Sequence, residues 1–306
     1  MRTIERILCC TDLSDNATPA VHAAVKIAEL HNAELTILYV MRQPEAAHAP
    51  LVDELKKKIT QRAQEEIAKV CPPEDDTPVR AKTEIRRGPV IETVLAAARE
   101  LGADLLVAGS HGHTGNLKGG PGHIAEQLVR KASCSVLLVR PEFSDEYSRI
   151  AVATDFSDYG QVVLERGVDL AKRFGRGELG LYHVCHLPEE YWLTGRSEAE
   201  ALKRVRGFAE QHAREFLKAA KTRGVQVETV IVEGSEAPAI LTLVKKRKTE
   251  LLVMGSHGRT TAGAVLLGSV AERTLRACPC SLWIEIDPKR RMGILQALGH
   301  IMGITE

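Results

Sequence analysis

The sequence predicts an α/β protein made of two doubly wound, parallel, five-stranded sheet domains in tandem, Rossmann-like in architecture. Three observations predict it. The chain has 306 residues, enough for two ordinary domains. It is written twice: ILCCTDLSD at 7–15 is answered by IAVATDFSD at 150–158, and LLVAGSHGHTG at 105–115 by LLVMGSHGRTT at 251–261. The first pair lies 143 residues apart and the second 146, and shared order at a nearly constant offset points to duplication. Within each copy, short apolar runs alternate with longer amphipathic ones. Strands and helices by turns imply a parallel sheet covered on both faces.

The elements follow in order. Residues 4–10 read as a buried strand. Residues 14–30 read as a helix, with Pro19 near its first turn, where a missing N–H costs nothing. Residues 33–40 form a strand, 53–70 a charged amphipathic helix, 79–85 a strand and 90–101 a helix. A strand at 104–108, a helix at 123–131 and a strand at 135–139 complete the first copy. The second repeats the order at 150–154, 159–174, 178–184, 197–222, 225–232, 236–247, 250–254, 269–276 and 281–286. The polar RPEFSDEYS near 140–148 separates them. The domains expected are therefore 1–143 and 144–287, followed by a tail at 288–306.

Composition narrows the function. The formal net charge is +1 and aromatics make up 4% of residues. With no basic excess to neutralise phosphates and few rings to stack bases, nucleic acid is not an expected partner. No apolar stretch approaches the roughly 20 residues of a membrane span, and MRTIERILCCTD lacks the pattern of a secretory signal. Seven scattered cysteines suggest reduced thiols and a cytoplasmic location. Cys278-Pro279-Cys280 is too tight for a CxxC pair, and no second pair completes a zinc site.

The stretch GSHGRTTAGAVLLGSVAE at 255–272 follows a buried strand and opens a helix. Free N–H groups at a helix N-terminus attract phosphate, and glycine lets the backbone close on an anion. Ser269 could add its hydroxyl. Against this, Ser269-Val270-Ala271-Glu272 matches a capping box, which alone would explain the serine, and the glycines could merely shape turns. Both readings stand on the residues alone.

The spacing Gly255-x2-Gly258-x9-Gly268-Ser269 is similar to the G-x2-G-x9-G-[ST] signature of the universal stress protein family, which the chain resembles over nearly its whole length. The strand-end Thr-Asp-x-Ser pattern and ACPCSLWI at 277–284 carry the same resemblance. It implies a fold like that of the adenine nucleotide α hydrolases and a bound ATP, with magnesium. The phosphates would lie on Gly255, His257, Gly258, Gly268, Ser269 and Val270, and the adenosine near Ala153, Asp155, Val184 and Met254. It also implies a stress-response sensor or switch, or a chaperoning or signalling module, with very weak ATPase activity at most and no catalytic residue assigned. The alternatives are a nucleotide-free interaction scaffold and an enzyme acting on an adenylated small molecule.

In the first copy Gly109, Gly112 and Gly122 keep the spacing, but His123 replaces the serine. With Asp12 and Val40 these would form a weaker or altered second site, to which Lys118 could contribute a charge. His111, His113 and His123, or His183, Cys185 and His186, invite a metal reading. The repetition of His111 as His257 argues for a loop role instead, so no protein-held metal is expected. The final strands at 135–139 and 281–286 are candidates for pairing between the halves, and a further homo-oligomer or protein partner is compatible with the chain. The tail KRRMGILQALGHIMGITE has helical apolar spacing at Ile294, Leu295, Leu298, Ile301 and Met302, suited to packing on its own domain or a second chain.

Overall fold

In a computed structural model of the chain, residues 3–41, 51–70, 81–112, 120–143, 146–258 and 267–286 are described. The tail, His113 and Lys118 lie outside them. The chain divides into two compact units, one holding residues up to 146 and the other residues 147–285.

The first unit runs β1 (Arg6–Thr11), α1 (Thr18–His31), β2 (Glu34–Met41), α2 (Val52–Val70), β3 (Ala81–Arg87), α3 (Val90–Glu100), β4 (Leu105–Gly109), α4 (His123–Lys131) and β5 (Ser135–Val139). Its strands lie in the order β3-β2-β1-β4-β5, all parallel. The second runs β6 (Ile150–Ala153), α5 (Asp158–Arg173), β7 (Glu178–Cys185), a 3-10 turn (Tyr191–Thr194), α6 (Glu198–Ala219), β8 (Gln226–Glu233), α7 (Glu236–Lys246), β9 (Leu251–Gly255), α8 (Ser269–Ala277) and β10 (Ser281–Glu285). Its order is β10-β9-β6-β7-β8, again all parallel. The doubly wound fold is as the alternation predicts.

Several boundaries differ from expectation. The first helix starts at Thr18, not at residue 14. The Asp12 carboxylate accepts the Ser14 N–H at 3.0 Å and the Ser14 hydroxyl at 2.5 Å, so that serine is drawn back into a turn and cannot cap. Pro19 then sits in the first turn as expected. The strand expected at 4–10 spans Arg6–Thr11, and that at 79–85 is described as Ala81–Arg87. The helix expected at 197–222 ends at Ala219, because Ala220 is extended and Arg223 and Gly224 take positive φ. At its other end Ser197 and Glu200 form a capping box that holds the start.

The core is the central strands, whose residues are buried on both faces: Leu105–Ala108 in the first unit and Leu251–Met254 in the second. Helices approach closely enough to exclude side-chain atoms. A Cβ on Gly167 of α5 would lie 2.2 Å from Val152 Cγ2 on β6. Valine cannot swing away, being stiff at χ1. Gly167→Ala is therefore expected to destabilise the second unit, overpacking by about 1–3 kcal/mol outweighing the helix-propensity gain of up to about 1 kcal/mol. Urea denaturation measures this, and a stabilised variant would contradict it.

Candidate functional site

In each unit the winding direction reverses beside the first strand. In the second, β6 lies between β7 and β9, so the connections leaving β6 and β9 diverge at their carboxyl ends and open a crevice there. Sequence chemistry shapes both lips. On the β6 side, Thr154 Oγ1 accepts the Phe156 N–H at 3.1 Å and Asp155 Oδ1 accepts the Ser157 N–H at 3.0 Å. These turns hold Phe156 at φ +59°, a conformation costly to a side chain with a Cβ. Ser157 caps α5, its hydroxyl accepting the Gly160 N–H at 3.1 Å. The cap thus falls to Ser157, while Asp155 stays at the crevice with Oδ1 engaged.

On the β9 side, the Ser256 N–H donates to the Glu285 carbonyl at 2.9 Å, and the Gly268 N–H donates to the Ser256 carbonyl at 2.7 Å. That second bond pins the start of α8 above the strand end. Ser256 Oγ lies 2.8 Å from His257 Nδ1. A Cβ on Gly255 would lie 3.0 Å from the Tyr159 ring and 3.1 Å from the His257 carbonyl; one on Gly258 would lie 3.0 Å from Asp155 Oδ2. Both positions leave little room for a side chain: at Gly255 the crowding includes backbone, and at Gly258 it is the Asp155 carboxylate alone that would have to shift.

The capping-box reading of Ser269 is corrected by the helix start. Gly268 is the N-cap, extended at φ −68° and ψ 153°, with no side-chain cap bond; Ser269 is the first helical residue. A serine in that place is one position too late to bond the N–H groups of its own first turn as a cap does. The first N–H groups of α8 therefore have no partner within the helix.

One cavity of about 390 Å³ occupies the crevice, within the range of small-molecule sites. All ten residues marked out in the sequence for the intact site line it: Ala153, Asp155, Val184, Met254, Gly255, His257, Gly258, Gly268, Ser269 and Val270. Sequence reasoning missed the wall facing α8. There Cys185 ends β7, and Val205, Phe208, Ala209 and His212 project from α6. The 3, 4 and 7 spacing of Val205, Phe208, Ala209 and His212 on one helix face is the signal that would have found them. His183 also lines the cavity; its Nδ1 lies 2.9 Å from the Thr154 carbonyl, so Nδ1 is the donor, and its ring stacks on Phe156 at 4.1 Å. Burial raises the Cys185 thiol pKa, with Glu233 adding to the effect. At the rim His186 Nδ1 meets Glu236 at 3.4 Å, an exposed pair of little energetic weight.

The first unit builds the same frame. Gly122 N–H donates to the Ser110 carbonyl, Ser110 N–H to the Val139 carbonyl, and Ser110 Oγ lies 2.9 Å from His111 Nδ1. Cβ atoms would lie 3.2 Å from the His111 carbonyl at Gly109 and 2.9 Å from Asp12 Oδ2 at Gly112. Val40 is buried near the end of β2, and His123 is the exposed first residue of α4. The shared glycines thus make the turn in both units, and one difference between the units is the residue after the third glycine. A second difference is Asn16, whose Nδ2 donates to the Gly112 carbonyl at 3.1 Å. Among the described residues no group of three or more His, Cys, Asp or Glu could hold a metal ion, and no helix is long and apolar enough to cross a membrane. Cys278 and Cys280 are not joined in a disulfide, their sulfurs lying 3.5 Å apart.

Comparison with known proteins bears on the family and the fold. The model of the universal stress protein family matches twice, over residues 3–140 and 146–284. A universal stress protein of Methanocaldococcus jannaschii is 31% identical over 155 residues, 47% of this chain and 85% of that protein. One of Mycolicibacterium smegmatis is 26% identical over 291 residues, 89% of this chain and 93% of that protein. Among solved structures, a putative universal stress protein of Pseudomonas aeruginosa superposes with a TM-score of 0.67 at 16% identity, covering 96% and 97% of the two chains. One of Archaeoglobus fulgidus gives 0.65 at 19%, covering 92% and 98%. At these identities the structural likeness speaks for the fold.

Proposed function

Because the chain belongs to the universal stress protein family, with two of its domains in tandem, we propose that its second unit binds ATP in the β6–β9 crevice and works as a nucleotide-dependent stress sensor or switch. The observation that carries this reading is the start of α8. Ser269 and Val270 bring intrahelically unpartnered N–H groups to the cavity, Gly268 keeps the approach to them clear with its own N–H held by the Ser256 carbonyl, and Ser269 is not spent as a cap. Phosphate oxygens accept from those groups, and the helix dipole favours their charge.

The residues present fit the nucleotide. Gly255 and Gly258 keep the loop clear of side chains where it folds over Asp155, so phosphates meet backbone. Ala153, Val184 and Met254 offer an apolar seat to the nucleoside at the strand ends. Asp155, with one oxygen anchored by Ser157, is the carboxylate at hand for a magnesium ion carried by the phosphates. The described groups bind and orient; we assign none of them a catalytic role, and any hydrolysis is slow. In the first unit His123 stands where Ser269 stands in the second, which supports a weaker or altered site there.

Isothermal titration with Mg-ATP tests the reading. Loss of a hydroxyl donor to a charged phosphate is worth about 1.5–3 kcal/mol, so Ser269→Ala is expected to weaken ATP roughly 10- to 100-fold. Unchanged affinity would remove the phosphates from α8. Single-turnover hydrolysis complete within seconds would favour an enzyme over a switch.

A further inference from the structure

The cavity is wider than the residues assigned to nucleotide phosphate and nucleoside, and its remaining wall on α6 sets the rings of Phe208 and His212 beside Val205 and Ala209. Residues an odd number apart on a strand face opposite sides of the sheet. On β7, Tyr182 bonds Thr249 beyond the end of α7, while Cys185 packs with Ala209 of α6. The helix α6 therefore covers the face opposite α7 and α8, and the cavity spans the strand ends from one face to the other.

Phe208 is conspicuous on that wall. It lines the cavity and yet is 61% exposed, one of the few large apolar side chains so exposed among the described residues. Its ring stands 4.2 Å from that of His212, at 61°. The neighbouring positions on the same helix are small and buried, Ala209 at 5% and Ala213 at 3% exposure, so α6 is already seated without the phenyl ring. Aligning the buried alanines Ala63 of α2 and Ala209 of α6 sets Arg62 opposite Phe208, so the first unit lacks this ring. An exposed phenyl group beside an imidazole, facing a cavity whose other side presents N–H groups to an anion, suits a ligand planar and apolar at one end and anionic at the other.

We propose that Phe208, backed by His212, is the surface against which the base of the bound nucleotide stacks. This rests on the reading of the crevice as a nucleotide site and adds to it where the base lies. Stacking on an aromatic ring tolerates any planar base, so Phe208 contributes affinity for the base and leaves the phosphate contacts untouched.

The test titrates Mg-ATP and inorganic tripolyphosphate into the full-length protein and its Phe208→Ala and Phe208→Tyr variants, with thermal unfolding measured alongside. Phe208→Ala is expected to weaken ATP about tenfold, leaving tripolyphosphate affinity and the unfolding midpoint unchanged. Phe208→Tyr, which keeps a ring, retains ATP affinity. Unchanged ATP affinity in Phe208→Ala, or equal weakening of ATP and tripolyphosphate, overturns the stacking role while the nucleotide site stands. Wild-type protein that binds neither ligand overturns both.

Discussion

Gly268→Asp is expected to abolish ATP binding while leaving the fold as stable as before, or slightly more so. Gly268 is the N-cap of α8 with an extended backbone that any residue adopts. Aspartate is a better N-cap than glycine by a few tenths of a kcal/mol, and its charge favours the helix dipole. The same carboxylate would accept the N–H groups assigned to the phosphates and set a negative charge beside them. Two like charges 4 Å apart repel by about 4 kcal/mol at an effective dielectric of about 20, so a loss of at least about 100-fold in affinity is expected. The opposite signs make the experiment decisive. Calorimetry should give no measurable ATP binding, and thermal unfolding an unchanged or raised midpoint. A destabilised variant would mean that Gly268 serves the fold, and intact binding would move the nucleotide elsewhere.

The largest expected effect on stability lies behind the site. Arg166 of α5 and Glu285 of β10 are 2% and 4% exposed, with guanidinium–carboxylate contacts of 3.1 and 3.3 Å. Trp283 Nε1 donates to the same carboxylate at 2.7 Å, and the guanidinium lies 5.4 Å from the Trp283 ring centroid. Asp169 adds a second carboxylate at 3.9 Å. Glu285→Ala would leave a buried guanidinium facing a lost partner and an indole N–H without its acceptor. Removal of one member of such a pair costs about 3–5 kcal/mol, so the second unit should lose much of its stability in urea denaturation. The double variant Arg166→Met, Glu285→Leu should recover part of the loss, because it removes the uncompensated guanidinium while the Trp283 N–H still lacks its acceptor. A loss below about 1 kcal/mol in the single variant would show the pair to be solvated. The Glu285 carbonyl holds the Ser256 N–H, so this pair also sits under the turn that carries the glycine loop.

Much of this was legible in the residues. Strand and helix periodicities, and the repetition of TDLSD as TDFSD, revealed two parallel-sheet units because burial on both faces forces continuous apolar runs such as Leu251–Met254. The spacing from Gly255 to Ser269 marked the crevice because it is read along the chain. The start of α1 was not legible: Asp12 recruits Ser14 into a turn, and a serine that could cap gives no sign in sequence of being diverted. For the same reason the residues around Ser269 left two readings open. SVAE reads as a capping box until the Gly268–Ser256 bond sets the helix start one residue earlier.

The sequence by itself determined the fold class, the duplication, the glycine spacing and the substitution of His123 for serine, because these are properties of order and period. Only the tertiary structure decided which glycines are crowded by Asp12 and Asp155, which residue caps α8, and that Phe208 and His212 of α6 share a cavity with Gly268. The physical reason is distance along the chain. Phe208 and Gly268 are separated by an intervening strand, helix and strand, and no local pattern records that their elements, on opposite faces of a sheet, meet at the same carboxyl edge. Their juxtaposition comes from the strand order β9-β6-β7, which is fixed by packing among residues far apart in sequence.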